Sequence, residues 1–277
     1  MPELPEVEVT RRALAPYVEQ QTVESVIVRE PRLRWPVPAG LPALLAGRTV
    51  ERLRRRGKYL LWEFLHGTLI SHLGMSGAWR AWPRRRTVPP PGPHDHVDVL
   101  FDATCVRLTD PRRFGALLWH DAREGEVAMH LLLAGLGIEP FDPRFDGEWL
   151  YRHTRSRTAS IKQVLLAGDV VVGVGNIYAS ESLFRARINP KRSARRIGLV
   201  RYAALAAAVR EVLIEAIAVG GSTLRDFVGA DGADGYFMLE ARVYGRAGEP
   251  CRVCATPIVR VLQGQRATYY CRVCQKR

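Results

Sequence analysis

Over about the first 120 residues, short alternating or apolar runs are separated by breaks rich in Gly, Pro and charge. Such runs are typical of strands with a buried face, and a series of them is typical of a β-sandwich or barrel. A short helix precedes them, with Pro5 in its first turn and Pro16 at its predicted end. The predicted strands are residues 22–30, 48–53, 58–65, 68–73, 96–102, 105–110 and 114–120.

From about residue 127 the apolar positions take on a helical period, which indicates a second, α-helical domain. The pattern therefore predicts an α+β protein with a β-rich domain over 1–126, a helical domain over 127–240 and a small third unit over 241–277. The basic, proline-rich residues 83–93 and the Gly/Asp-rich residues 229–236 are predicted loops. The predicted helices are residues 125–135, 147–154, 159–168, 176–188 and 199–221.

The net charge of the chain indicates which class of binding partner to expect. The chain of 277 residues has 41 Lys and Arg against 28 Asp and Glu, a formal net charge of +13. This excess favours a polyanionic partner, nucleic acid first and an acidic membrane surface second. No apolar run is long enough for a membrane span, and the acidic start is unlike a secretory signal, so we expect a cytoplasmic protein that is not an integral membrane protein.

Four cysteines near the carboxyl terminus predict a metal site. Two C-x2-C pairs are separated by sixteen residues, a spacing typical of a four-cysteine zinc site. Because four thiolates leave no open coordination position, the zinc is expected to be structural. The intervening residues are a predicted β-hairpin that turns near Gln263 and Gly264, whereas Cys105 lies alone in a predicted strand and is expected to be buried. The predicted ligands are Cys251, Cys254, Cys271 and Cys274.

The amino terminus offers a candidate nucleophile. Loss of the initiator Met would leave Pro2 as a secondary amine with a pKa of roughly 8, by analogy with α-amino groups. Such an amine can attack an aldehyde-level carbon, for example a sugar C1′, and form an iminium. Only four residues are lysines, among them Lys58 in a basic run, and a lysine can exchange protons where an arginine cannot.

Eight separate segments carry recognisable motifs, in order along the chain: residues 1–8, 55–61, 72–77, 94–98, 109–116, 171–184, 244–251 and 265–271. In these segments the chain resembles one family, the bifunctional formamidopyrimidine-DNA glycosylases. The resemblance implies an N-terminal β-sandwich, a helical domain with a helix–two-turn–helix element and a zinc finger, with DNA held between domains. It also implies one structural Zn²⁺, duplex DNA with oxidised bases or abasic sites as the partner, and action as a monomer.

The resemblance assigns catalytic roles to four residues. Pro2 would attack C1′, and Glu3 would give a proton to the opening sugar. The alternative for Glu3, an acid at the helix start favoured by the helix dipole, is weaker once the resemblance is taken into account. Lys58 would be a general acid/base for base loss and β-elimination, and the alternative is a further phosphate-binding cation. Arg266 would stabilise the leaving phosphate during δ-elimination.

The resemblance also assigns DNA contacts. Met75, Arg112 and Phe114 would fill the gap left by an extruded nucleotide, although Met and Phe taken singly are more often core residues. His94, Arg157 and Asn176 would contact DNA. Asn176 opens a predicted helix and could instead cap it, and a shift in alignment would transfer the role of Arg157 to Arg155.

The expected activity is excision of 8-oxoguanine and formamidopyrimidines through a Schiff base, followed by β,δ-elimination. An endonuclease VIII-like enzyme for oxidised pyrimidines and a non-catalytic binder of damaged DNA are the alternatives. The segment from 222 to 237 is expected to take part in base selection.

Overall fold

The computed structural model describes residues 2–84, 88–221 and 240–276. It separates into two compact units. The first contains the described residues up to Ala134 together with Val219 to Gly221, and the second contains Gly135–Ala218 and residues 240–276. Among the described residues, no helix combines the length and apolar character that a membrane span requires.

The first unit opens with helix α1, Leu4–Val18. Glu3 is its N-cap, and the Glu3 backbone N–H donates to Glu6 Oε2 at 2.7 Å, as in a capping box. Pro16 lies inside the helix, so the predicted stop at that residue is wrong. The proline removes one backbone donor close to the end, and the helix continues for two further residues.

Two four-stranded antiparallel sheets follow. One has the order β1-β6-β7-β5 and the other has the order β2-β3-β4-β8. The first sheet contains β1 Val23–Val28, β5 Ala78–Pro83, β6 Asp95–Phe101 and β7 Thr104–Thr109. The second contains β2 Arg52–Arg56, β3 Tyr59–Phe64, β4 Gly67–His72 and β8 Ala116–Asp121.

The two sheets share one apolar core, which confirms the predicted β-sandwich. Trp62 from one sheet and Trp79 from the other lie with ring centroids 5.3 Å apart, and Trp79 Nε1 donates to Ser71 Oγ at 2.8 Å. Cys105 is buried as expected, and burial raises the pKa of its thiol to about 11.

The sequence pattern missed strand β5 and a short helix α2, Leu41–Leu45. Strand β5 runs into the predicted loop 83–93, and its last residue, Pro83, pairs with Thr104. Pro83 is tolerated there because β5 lies at the edge of its sheet. Residues 85–87 of this loop lie outside the described residues.

The second unit contains helices α3 Gly147–Thr154, α4 Ile161–Ala167, α5 Asn176–Arg185 and α6 Leu199–Ala218, as predicted. The predicted helix over 125–135 is wrong, because only a 3₁₀ turn at Val127–Met129 forms there. Leu133 is buried, but Met129 and Leu131 are largely exposed, so the run buries too little apolar surface to stabilise a longer helix. The segments 222–237 and 229–236, for which roles were predicted, lie outside the described residues.

A two-stranded hairpin, β9 Val259–Gln263 and β10 Arg266–Tyr270, ends the second unit. Gly264 and Gln265 both have positive φ, +52° and +62°, as a type I′ turn requires. The predicted hairpin and its turn are therefore confirmed.

Candidate functional site

The chain start is held in place by α1. Pro2 and Glu3 are both buried, and Glu3 stands where the positive end of the helix dipole stabilises a carboxylate. Glu6 is also buried, and Gly221 approaches it so closely that a Cβ there would lie 3.0 Å from Glu6 Oε1. Pro2, the predicted nucleophile, is therefore held in a defined position in the first unit by the start of α1.

Lys58 lies in the turn between β2 and β3, after Gly57 with a φ of +58°. Arg55 ties this turn to α1, because its Nε donates to Glu8 Oε2 at 3.1 Å and its Nη1 donates to Gly57 O at 3.0 Å. Arg54 pairs with Glu63 at 3.0 Å. The positive charge predicted to surround Lys58 is therefore partly balanced by carboxylates.

His72 is a neighbour of Lys58 to which no role was assigned from the sequence. It pairs with Tyr59 across β3 and β4, with ring centroids 4.8 Å apart, and its Nδ1 accepts from Gly74 N–H at 3.0 Å. Burial, and then the charges of Lys58 and Arg34, lower the pKa of His72 to about 4. A neutral imidazole therefore stands beside the candidate acid/base, and its place at the head of the segment 72–77 was the signal available.

Met75, Arg112 and Phe114 present large side chains to solvent. Met75 is 37% exposed and Phe114 is 42% exposed, so the alternative that they are core residues is wrong. The guanidinium of Arg112 lies over the Phe114 ring, 4.9 Å from its centroid. Arg112 and Phe114 also line a groove of about 640 Å³ with Arg32 and Arg34. Two apolar side chains and a cation in this arrangement suit insertion into a base stack.

A buried aspartate fixes the loops that carry this trio. Asp110 is 0% exposed and accepts from Ser76 Oγ at 2.8 Å and from Gly115 N–H at 2.7 Å. Gly74 has a φ of +62°, and a Cβ there would lie 2.3 Å from the carbonyl carbon of Phe114. The two loops therefore pack backbone against backbone.

His94 is exposed beside the same loops, and its carbonyl accepts from Asp110 N–H at 2.9 Å. The first unit thus holds seven of the predicted residues, four of them on or next to the loops that Asp110 connects. The seven are Pro2, Glu3, Lys58, Met75, His94, Arg112 and Phe114.

Arg157 and Arg155, both in the second unit, differ in their surroundings. Arg155 donates to Tyr151 O at 3.0 Å and to Ile197 O at 2.7 Å, and its guanidinium lies 3.8 Å from the Tyr151 ring centroid. The side chain of Arg157 is 40% exposed and pairs with Asp169 at 2.5 Å. Of the two arginines, Arg157 is therefore the one whose guanidinium is accessible to a ligand.

Asn176 is the first residue of α5, and Gly175 is the N-cap, so the alternative that Asn176 caps this helix is wrong. Asn176 Nδ2 donates to the hydroxyl of Tyr244 at 3.4 Å. Glu181, missed by the sequence reasoning, is buried and accepts from the backbone N–H groups of residues 242–244 at 2.8–3.0 Å. It thereby positions Tyr244 beside Asn176.

The four predicted metal ligands converge, with all four Sγ atoms within 4.8 Å of one another. Cys251 and Cys274 are 3.9 Å apart, and Cys254 and Cys271 are 3.4 Å apart. These distances bracket the edge of about 3.8 Å expected for four thiolates around Zn²⁺ at about 2.3 Å. Backbone N–H groups also donate to Cys251 Sγ and Cys271 Sγ. The cysteines fit one structural zinc ion.

Arg266 is exposed just after the hairpin turn, and its side chain has no hydrogen bond or ion pair with any residue in the described ranges. Lys162 anchors the adjacent part of β10. It is 0% exposed, and its ammonium donates to Ala267 O at 3.0 Å and to Thr268 Oγ1 at 2.8 Å. This buried lysine joins α4 to the hairpin and was not predicted from the sequence.

Comparison with known protein families gives matches to three successive models. The formamidopyrimidine-DNA glycosylase N-terminal domain matches residues 1–117, and the formamidopyrimidine-DNA glycosylase H2TH domain matches residues 136–228. A zinc finger found in FPG and IleRS matches residues 248–277.

Curated proteins and solved structures match along the whole chain. The formamidopyrimidine-DNA glycosylases of Herminiimonas arsenicoxydans and Bordetella pertussis are 61% and 60% identical, each over 100% of both chains. The crystal structure of MutM (Fpg) from Thermus thermophilus is similar with a TM-score of 0.86 and 39% identity, covering 99% of this chain and 98% of that one. A Lactococcus lactis Fpg solved with abasic-site DNA has a TM-score of 0.89 and 33% identity, covering 99% and 100%.

Proposed function

This chain belongs to the formamidopyrimidine-DNA glycosylase family, and from that premise we propose that it excises oxidised purines from duplex DNA and then nicks the strand. It is a DNA glycosylase with AP lyase activity and a structural zinc finger. The proposed substrates are 8-oxoguanine and formamidopyrimidines. The observation that carries the proposal is the exposed Met75 and Phe114 beside Arg112 on loops made rigid by Asp110.

The proposed reaction begins with extrusion of the damaged nucleotide. Met75 and Phe114 would fill the vacated stack while the Arg112 guanidinium pairs with the orphaned base. Rigid loops support this role, because insertion then costs little loss of side-chain and backbone freedom. His94, Arg157 and Asn176 would hold the DNA backbone.

The Pro2 amine, freed by removal of Met1, would then attack C1′ as the bond from C1′ to the base breaks. Glu3 would protonate O4′ as the sugar ring opens, which leaves a cationic imine and a free base. Lys58 would exchange the protons of base loss and of C2′ removal, with expulsion of the 3′ phosphate. Arg266 would stabilise the 5′ phosphate leaving in the δ step, and water would release Pro2.

When bound, zinc would be held by the four cysteines and would supply structure to the hairpin that carries Arg266. We propose the domain division 1–126, 127–240 and 241–277, with the whole chain acting as a monomer.

Borohydride trapping tests the proposal. The wild-type protein should become covalently linked to an abasic-site duplex on reduction, and Pro2→Gly should trap at least tenfold less. Pro91→Gly, at an exposed proline outside the helices and strands, is the control and should trap normally. Undiminished trapping by Pro2→Gly would contradict the nucleophile, and no trapping by the wild type would indicate a non-catalytic binder. Excision from duplexes with one defined lesion each separates oxidised purines from oxidised pyrimidines.

A further inference from the structure

A short basic segment in the second unit has no role in the proposed chemistry. Four of the six residues from 191 to 196 are cations: Lys191, Arg192, Arg195 and Arg196. Many arginines of this protein pair with carboxylates, for example Arg54, Arg107 and Arg185. Within the described ranges, none of these four cations has an ion pair.

The backbone of this segment is fixed from several sides. Ala194 is 0% exposed, its N–H donates to Ala159 O at 2.9 Å, and its carbonyl accepts from Tyr202 OH at 2.8 Å. Arg192 O accepts from Ile161 N–H at 2.8 Å. A segment held in this way presents its cations without having to become ordered when a ligand binds.

These side chains form a small pocket. Lys191, Arg192, Ser193 and Arg196 line a cavity of about 350 Å³. The Ser193 hydroxyl has no hydrogen-bond partner among the described residues. Burial, and to a smaller extent the charge of Arg192, lower the pKa of the nearby Arg201. An anion in the pocket could accept hydrogen bonds from the ammonium and guanidinium groups that line it.

The pocket adjoins the elements that carry one predicted DNA contact, Arg157, and one predicted catalytic residue, Arg266. Arg195 N–H donates to Arg157 O at 3.1 Å, which joins the segment to one contact. The Lys191 ammonium lies 5.7 Å from the ring centroid of Tyr270, which is in the strand that begins with Arg266. Gln263 Nε2 donates to Ser160 Oγ at 3.0 Å, which fixes the hairpin to the same region. The cations of residues 191–196 therefore lie close to Arg157 in the same compact unit, and together they form a larger basic surface.

We propose that the pocket of Lys191, Arg192, Ser193 and Arg196, with Arg195 beside it, binds a phosphodiester of the DNA backbone as an additional, sequence-independent contact. This inference rests on the proposed function, because duplex DNA is the ligand that it commits to. The proposed contact is a form of phosphate recognition. Cations that neutralise phosphates release the counterions condensed on DNA, and they add affinity without reading the base sequence.

The salt dependence of binding to an undamaged duplex tests the inference. The variant Lys191→Gln/Arg195→Gln/Arg196→Gln changes only exposed side chains. The control Arg48→Gln/Arg52→Gln/Arg152→Gln removes the same charge from exposed arginines elsewhere that have no ion pair in the described ranges. Binding is measured by fluorescence anisotropy between about 50 and 200 mM salt.

In the pocket variant, the slope of log K against log salt should fall in magnitude by about two to three, at roughly 0.9 for each lost phosphate contact. Between about 50 and 200 mM salt the wild type would then lose roughly 30-fold more affinity than the variant. The charge-conserving variant Lys191→Arg/Arg195→Lys/Arg196→Lys should keep the wild-type slope. An unchanged slope in the pocket variant, or an equal fall in the control, would overturn the inference.

Excision by the wild type, followed in the same samples, separates this inference from the proposed function. A reduced slope in the pocket variant together with no excision by the wild type would support the phosphate contact and contradict the catalytic proposal. Normal excision by the wild type together with an unchanged slope in the pocket variant would support the catalytic proposal and contradict the phosphate contact.

Discussion

At the scale of single residues, surroundings distinguish groups that the sequence presents as equivalent. Arg155 and Arg157 both suit the predicted DNA contact, and no local pattern separates them. The partner that occupies Arg155 is the carbonyl of Ile197, about 40 residues away in the chain. Glu181 and Lys162 were missed for the same reason, because their partners come from distant segments. By contrast, the four cysteines were predictable because their spacing alone defines their chemistry, whereas the role of Pro2 stays a prediction.

The pair between Arg157 and Asp169 leads to a prediction about affinity. In the free protein Asp169 holds the guanidinium that is proposed to contact DNA, so DNA has to compete with a carboxylate. Asp169→Asn should therefore bind duplex DNA a few-fold more tightly, measured by anisotropy at low salt. Asp142→Asn is the control, because it breaks an exposed pair with Arg144 and removes the same charge. Equal gains in both variants would show only a net-charge effect.

His72 gives a prediction about pH. Its pKa falls from 6.5 to about 4 on folding, so the unfolded chain takes up a proton between those values while the folded protein does not. The free energy of unfolding should therefore decrease as the pH falls from about 6.5 towards about 4. Histidine NMR signals report the titration directly. A midpoint for His72 near 6.5 in the folded protein would contradict the prediction.

At the scale of elements, the alternation of apolar and polar residues predicted seven of the eight sandwich strands and four helices. Strand β5 escaped because Pro83 and the arginines after it resemble a loop, whereas the structure uses β5 as an edge strand. The helix predicted over 125–135 failed because two of its apolar residues, Met129 and Leu131, stay largely exposed and only Leu133 is buried. Periodicity predicts what an element could bury, and the presence of a partner surface decides whether it forms.

The contact between the loops at Gly74 and Phe114 gives a prediction at this scale. Gly74→Ala places a methyl group 2.3 Å from the backbone of Phe114 at a φ of +62°, so the loops would have to separate. Excision should fall by at least tenfold, and thermal unfolding should show a loss of roughly 1–3 kcal/mol. Gly47→Ala is the control, since Gly47 has a φ of +73° but nothing within 4 Å. It should lose stability through backbone strain alone and keep its excision rate.

At the scale of the whole molecule, the net charge of +13 indicated the class of partner before any motif was considered. It could not indicate where the charge acts, since many arginines are neutralised by carboxylates. Some arginines remain exposed, among them Arg157, although it pairs with Asp169, and Arg266, and these are predicted to contact DNA.

The excess charge predicts strongly salt-dependent binding. Affinity for an undamaged duplex should fall by a factor on the order of 10³ or more between about 50 and 200 mM salt if six or more phosphates are contacted. A duplex with an uncharged methylphosphonate backbone should bind weakly and show little dependence on salt. A flat salt profile with the natural duplex would contradict a backbone-dominated interface.

Lys162 is buried beneath strand β10, and its reactivity offers a chemical measure of whether the zinc finger is intact. The chain has only four lysines, and this one is shielded as long as the hairpin stays in place. If a chelator loosens the hairpin, the amine should become open to acylation, and a single added mass on its tryptic peptide would report the loss of zinc. The scarcity of lysine thus makes one side chain a built-in reporter of metal occupancy.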